Sequence, residues 1–463
     1  MNVENSRIPK DNSNAILFVI CLSSSLVPFM GAALNLALPY INSDFSISAS
    51  VSGWIPTSYM LSTAIFQIPA AKVADMLGRR KVFIWGIILF ILFSLLSGIA
   101  TSAESLIVYR FLSGIGSAMM FGTSAAILMS AIPVEKRGQA LGINTAVVYI
   151  SLAAGPLLGG LLTQYLGWHS IFFMAAFMAL LVLVGTFVAI KEDWKDEANQ
   201  PFDYVGSILY ALGLSAIIYG FSILPDKTGI VVLVIGIVLI LTFAIYEKRQ
   251  AAPVFNIRLF LENRVFKYSS LSALINYSAT FAISFMLSLY LQYVRGLSPR
   301  DAGLILIVQS VMMAITTFFS GRLSDKVSPS FLATLGMFVI FVGLVGLCFI
   351  TETTNFYLII GLLLLIGFGF GVFSSPNMNI LMSSVEKKYY GLASATAGTM
   401  RLVGQSLSMG IAMMAISMQL GGVKFSADVH NELMISMRIT FIICSVLCLF
   451  GVYASSVRTK RNE

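Results

Sequence analysis

The stretch AKVADMLGRRKVF (Ala71–Phe83) sets one acid, Asp75, and three consecutive bases, Arg79, Arg80 and Lys81, between two long apolar runs. Each run is long enough to carry a helix across a bilayer, which takes about 20 mostly apolar residues. A charged gap this short reads as the turn joining two membrane spans. The same alternation continues in both directions. It predicts fourteen spans, near 15–40, 51–74, 82–102, 104–130, 137–163, 168–190, 203–224, 228–246, 268–294, 302–320, 329–351, 355–382, 389–420 and 433–457. The first run is too long for the core of a signal peptide and lacks a small-residue cleavage site, so it is expected to remain as span 1.

Composition agrees with the turn. Of 463 residues, 57% are hydrophobic and 11% charged, and the mean hydropathy is +0.88. That leaves too few polar residues to coat a water-soluble globule, so the lipid bilayer is the expected solvent. The basic residues are also unevenly placed. Arg79–Lys81, Lys136, Arg137, Lys191, Lys195, Lys248, Arg249, Arg258, Arg264, Lys267, Arg322, Lys326, Lys387 and Lys388 share a side with both termini, and only Lys227, Arg295, Arg300 and Lys424 fall opposite. The bias predicts an integral protein of the cell membrane with both termini in the cytoplasm. It also accounts for the net charge of +8. A nucleic-acid partner would need a basic face on a folded soluble domain, which the chain lacks.

Cys21, Cys348, Cys444 and Cys448 lie inside the expected spans, where thiols behave as small apolar groups. His169 and His430 stand apart in short connections. No disulfide, metal site or cofactor is expected, and no cluster of nucleophile and base suggests an enzyme. A GxxxxGK[ST] phosphate loop is absent, so an ATP-driven pump is not expected.

The turn has an echo. SGRLSDKVS (Ser320–Ser328) resembles the opening stretch and pairs Asp325 with Asp75, while ILMSAIPVEKRGQALG (Ile127–Gly142) is matched by ILMSSVEKKYYGLAS (Ile380–Ser394). A duplication follows: six spans in residues 1–190, six in 268–463, and linkers with two inserted spans in 191–267. The second linker, Glu247–Lys267, is basic and suits an amphipathic helix on the membrane surface. Duplicated helical halves commonly rock about a site near the bilayer midplane.

From these residues the chain resembles the major facilitator superfamily, and within it the fourteen-helix drug:proton antiporters. The hinge AKVADMLGRR is similar to the family's G-x-L-A-D-x-x-G-R-R, with Asp75, Gly78, Arg79 and Arg80 in place and Ala71 at the first glycine. YRFLSGIGSAMM (Tyr109–Met120) resembles R-x-x-x-G-x-x-x-A through Arg110, Gly114 and Ala118, and AAGPLLGGLL (Ala153–Leu162) resembles the antiporter G-P-x-x-G-G through Gly155 and Pro156. FMGAALNLALPYI (Phe29–Ile41) is similar to L-D-x-T-I-V-N-V-A-L-P, but Met30 stands where the family has its aspartate. FDYVGSILYALG (Phe202–Gly213) and LYLQYVRGLSPRDAG (Leu289–Gly303) also resemble the fourteen-helix group.

The resemblance implies an all-α polytopic fold of two six-helix bundles plus two inserted helices. It also implies hinge and gating roles for Asp75, Gly78, Arg79, Arg80, Asp325, Gly155 and Pro156, with Asp75 facing the start of span 13 near Tyr390 and Asp325 the start of span 5 near Gly138. Helical spacing puts Arg110, Ser113, Gly114 and Ser117 on one inward face; the alternative is an arginine snorkelling outward. Asn276, Thr280, Ser284 and Ser288 recur every fourth residue, and Arg401, Gln405 and Ser408 share a face. With Asn35 and Asn377 these residues could line a mildly polar, cationic cavity, or they could hydrogen-bond between helices.

No acid occupies the middle of a span, so a cavity with Arg110 and Arg401 would favour neutral or anionic amphiphiles over cations. The leading expectation is an exporter of drug-like or amphiphilic small molecules working by alternating access. Proton coupling is left open by Met30. The alternatives are an uptake carrier or facilitator for a small metabolite or organic anion, and a non-transporting membrane sensor.

Overall fold

In this computed structural model, residues 12–133, 137–195, 201–250, 253–255, 257–324, 326–386, 390–421 and 429–458 are described. Among them every regular element is helical: α1 (Asn12–Phe45), α2 (Ala49–Leu77), α3 (Arg79–Gly98), α4 (Ala103–Ala131), α5 (Arg137–Leu166), α6 (His169–Ala189), α7 (Tyr204–Ser222) and α8 (Lys227–Glu247) come first. The short α9 (Ile257–Glu262), α10 (Arg264–Thr280) and α11 (Ala282–Leu289) follow, then a π-helical turn (Tyr290–Val294). The chain continues with α12 (Pro299–Leu323), α13 (Pro329–Leu347), α14 (Phe356–Ser383), α15 (Tyr390–Gln419) and α16 (His430–Val457).

Among the described residues, thirteen helical stretches are long and apolar enough to cross a membrane unaided, with α10, α11 and the π turn acting as one. The expected second span, α2, is the exception. Its length suffices, but Ser52, Thr57, Ser58, Ser62, Thr63 and Gln67 make it too polar, and all six are buried. Three of them bond back to their own helix: the hydroxyl of Thr57 donates to the Gly53 carbonyl at 2.7 Å, that of Ser58 to the Ile55 carbonyl at 3.3 Å and that of Thr63 to the Tyr59 carbonyl at 2.8 Å. Protein, not lipid, surrounds this helix.

The helices before α7 pack chiefly on one another, as do those after α9. They meet where α5 lies along α12, α2 along α15 and α1 beside α11. Small residues let these backbones approach. A Cβ at Gly159 would lie 2.6 Å from the Ala33 backbone of α1, and one at Gly303 of α12 would lie 2.6 Å from the Pro156 carbonyl of α5. Helices α7 and α8 form a hairpin against α2 and α15. Only 17% of the apolar stretch in α8 is buried, so its outer face is lipid surface.

The expected straight ninth span is broken. α10 ends at Thr280, and the amide of Ala282 donates to the Ser408 hydroxyl of α15 at 2.9 Å instead of continuing the ladder. Such an inserted side chain is a recognised cause of helix bending. The every-fourth polar stripe therefore does not keep one face.

Candidate functional site

A small cavity of about 40 Å³ lies between the two sets of helices. Its walls come from α1 (Pro28, Gly31), α2 (Tyr59, Thr63), α5 (Tyr149), α10 with its break (Tyr277, Phe281), α14 (Phe370) and α15 (Arg401, Gln405), together with apolar neighbours. That volume holds a few waters. It falls well short of the ~300–1,000 Å³ of ordinary ligand pockets.

The chemistry of the walls is lopsided. Among the described residues Arg401 is the one charge lining the cavity, its guanidinium 4.6 Å from the centroid of the Phe121 ring. Opposite, Tyr149 and Tyr277 meet the Phe370 ring edge-on, with centroids 6.4 and 5.5 Å away. The Tyr149 hydroxyl is tied to that of Ser374. The site therefore offers one cation, one amide, tyrosine hydroxyls and broad aromatic faces.

Of the residues singled out in the sequence, Arg401 and Gln405 line this cavity. Arg110 does not. Its face with Ser113, Gly114 and Ser117 is buried against α2, and Arg110 is only 1% exposed, so it does not snorkel outward. Its guanidinium lies 4.1 Å from the centroid of Tyr59 and 5.8 Å from that of Phe172. Nε donates to the Ile55 carbonyl at 3.4 Å, and among the described residues both terminal nitrogens lack a hydrogen-bond partner. The Tyr59 ring separates it from the cavity, and the Tyr59 hydroxyl pairs with Ser117 at 2.6 Å.

The asparagines stand apart from the cavity and tie helices together. At Asn35 it is the backbone carbonyl, not the side chain, that accepts from the Ser288 hydroxyl at 2.7 Å, joining α1 to α11. Asn276 reaches the Met337 sulfur of α13 at 3.2 Å, and the Thr280 hydroxyl donates back to the Asn276 carbonyl at 2.8 Å. Asn377 donates to the Ser269 carbonyl at 3.1 Å and accepts from Arg458 at 2.5 Å. Burial pushes that arginine down to about 10.

At the hinge, Asp75 and Arg79 form a 2.8 Å ion pair, and Arg79 donates to the Ser130 hydroxyl of α4 at 2.6 Å. Gly78 turns the chain with φ of 120°, in the region that favours glycine. A feature absent from the sequence reading is the segment after α6, which closes over this turn. Asp193 accepts the Arg80 amide at 2.9 Å at the start of α3, where a carboxylate complements the helix dipole. The Arg79 amide donates to the Trp194 carbonyl at 3.0 Å. Asp325, the surroundings of Gly138 and the side chain of Tyr390 lie outside what is described.

Tyr59, Tyr149, Tyr277, Phe281 and Phe370 were not singled out, because aromatics in spans carry no signal of which way they face. Among the described residues no group of histidine, cysteine and acidic side chains is placed to hold a metal.

The family model of the Major Facilitator Superfamily matches residues 20–409. The riboflavin transporter RibZ of Clostridioides difficile is 28% identical over 83% of this chain and 84% of that protein. The multidrug resistance protein Stp of Mycobacterium tuberculosis is 30% identical over 85% of this chain and 73% of its own length. The tetracenomycin C resistance and export protein of Streptomyces glaucescens is 25% identical over 88% of this chain and 76% of that protein. In fold, the chain is similar to a crystal structure of a bacterial homologue of the human lysosomal transporter Spinster, with a TM-score of 0.67, 17% identity, and coverage of 97% and 98% of the two chains.

Proposed function

The chain belongs to the Major Facilitator Superfamily, and from that premise we propose that it exports neutral or anionic aromatic amphiphiles through the central cavity. The observation that carries this reading is Arg401, the one charge among the described residues of a cavity walled by tyrosine and phenylalanine. A lone guanidinium attracts carboxylates and polarised oxygens and repels cations. Aromatic faces accept flat rings by stacking.

The small cavity favours alternating access, since the halves 1–190 and 268–463 must part for a drug-sized molecule to enter. In this reading the hinge side, which carries most of the basic residues, faces the cytoplasm, and the inserted segment 191–267 rides between the halves. Relatives named for multidrug resistance and for tetracenomycin C export favour the outward direction.

A second reading, a facilitator or uptake carrier, is favoured by Met30. It is fully buried and cannot carry a proton where the resembling antiporters have an aspartate. Proteoliposomes loaded with an anionic, a neutral or a cationic aromatic dye separate the two readings. Gradient-dependent release of the anionic and neutral dyes is the expected result. Downhill flux indifferent to a proton gradient supports the facilitator, and preferential release of the cation overturns the charge argument.

A further inference from the structure

Away from the central cavity, an open groove of about 720 Å³ is lined by Ile245, Lys248, Arg249, Arg258 and Glu262. It lies where α8 ends and the chain doubles back through α9. The fold builds this geometry. Glu247, only 2% exposed, accepts the amides of Val254 at 3.3 Å and Phe255 at 3.4 Å. Phe255 is buried in a cluster with Tyr210 and Phe243, and Arg258 Nε returns to the Lys248 carbonyl at 3.0 Å.

Two properties meet in the groove. Lys248, Arg249 and Arg258 are all exposed, against one acid, Glu262. The apolar wall is Ile245, 62% exposed, which continues the outward face of α8 through Leu241 and Val238, 58% and 54% exposed. Arginine and lysine at a membrane boundary recognise phosphate oxygens. An apolar ridge running from that spot into the bilayer suits acyl chains.

We infer that this groove is a binding site for an anionic phospholipid, with the phosphate held by Lys248, Arg249 and Arg258 and the acyl chains lying along Ile245, Leu241 and Val238. The apolar ridge favours a lipid over a free phosphate. A lipid seated there bridges the end of α8 to α9, fixing the inserted hairpin to the chain that leads into α10.

Binding to the purified full-length protein in detergent tests the site, with phosphatidylglycerol as ligand, phosphatidylcholine as the uncharged comparison and inorganic phosphate as competitor. Phosphatidylglycerol is expected to bind more tightly than phosphatidylcholine and to resist phosphate at equal concentration. Each cation removed should weaken it about fivefold, so K248Q/R249Q/R258Q should lose about a hundredfold. K191Q/K195Q, which removes two bases outside the groove, should bind like the unaltered protein. If the triple variant does not fold, Arg249→Gln alone should still show the fivefold loss. Equal binding of the two lipids, undiminished binding by the variants, an equal loss in the control, or displacement by inorganic phosphate would each overturn the site.

Discussion

Arg110 and Arg401 are both arginines inside helices, one in each half, yet they live in opposite surroundings. Arg110 is sealed between Tyr59 and Phe172 with two nitrogens unpartnered, whereas Arg401 opens into the central cavity above Phe121. An isolated charge within a span costs several kcal/mol. Desolvated contact with ring faces offsets about 2 kcal/mol of that. The sequence motif around Arg110 therefore marks a packed seam, and the plainer polar face around Arg401 marks the cavity. Charge alone does not identify a transport site; which aromatic ring stands in front of the charge does.

The contrast can be broken experimentally, starting where the effect is largest. Arg110→Met, which fills the space between Tyr59 and Phe172 without a buried charge, should raise stability by about 2 kcal/mol. Thermal unfolding in detergent measures it, and an unchanged midpoint would mean that Arg110 is not packed as described. Arg401→Gln should leave the unfolding midpoint nearly unchanged while slowing transport of an anionic dye about tenfold relative to a neutral one, the loss expected for one charge-assisted hydrogen bond. Equal loss for both dyes would move the selectivity elsewhere. Ser117→Ala, which removes the partner of the Tyr59 hydroxyl, should cost about 1 kcal/mol and leave the anion preference intact. A changed preference would show that the Tyr59 screen, and not only Arg401, sets the charge seen by substrate.

Much of the architecture was legible. The charged turn at Asp75–Lys81 and the apolar run lengths reveal a membrane protein because few other folds tolerate such composition. Gly155 and Gly159 signal close backbone contact because a span has few other uses for glycine at a four-residue interval. The cavity was harder to read. The stripe from Asn276 to Ser288 assumed an unbroken helix, and the break depends on Ser408, a residue more than a hundred positions away. The five aromatic walls were invisible because apolar spans are rich in such residues and only tertiary packing selects the ones that face inward. Asp193 was missed for a similar reason: it stands in a linker whose composition gives no hint that it returns to cap α3.

The polar, fully surrounded α2 also bears on how the chain enters the bilayer. On insertion scales, serine, threonine and glutamine at the centre of a span oppose partitioning into lipid, and α2 lacks the leucine and isoleucine content that would outweigh them. Its main packing partner, α4, is synthesised later. During synthesis α2 must wait at the translocon or lean on the already inserted α1 until α4 arrives. Assembly of the amino-terminal half thus becomes a sequence of dependent events in place of independent insertions.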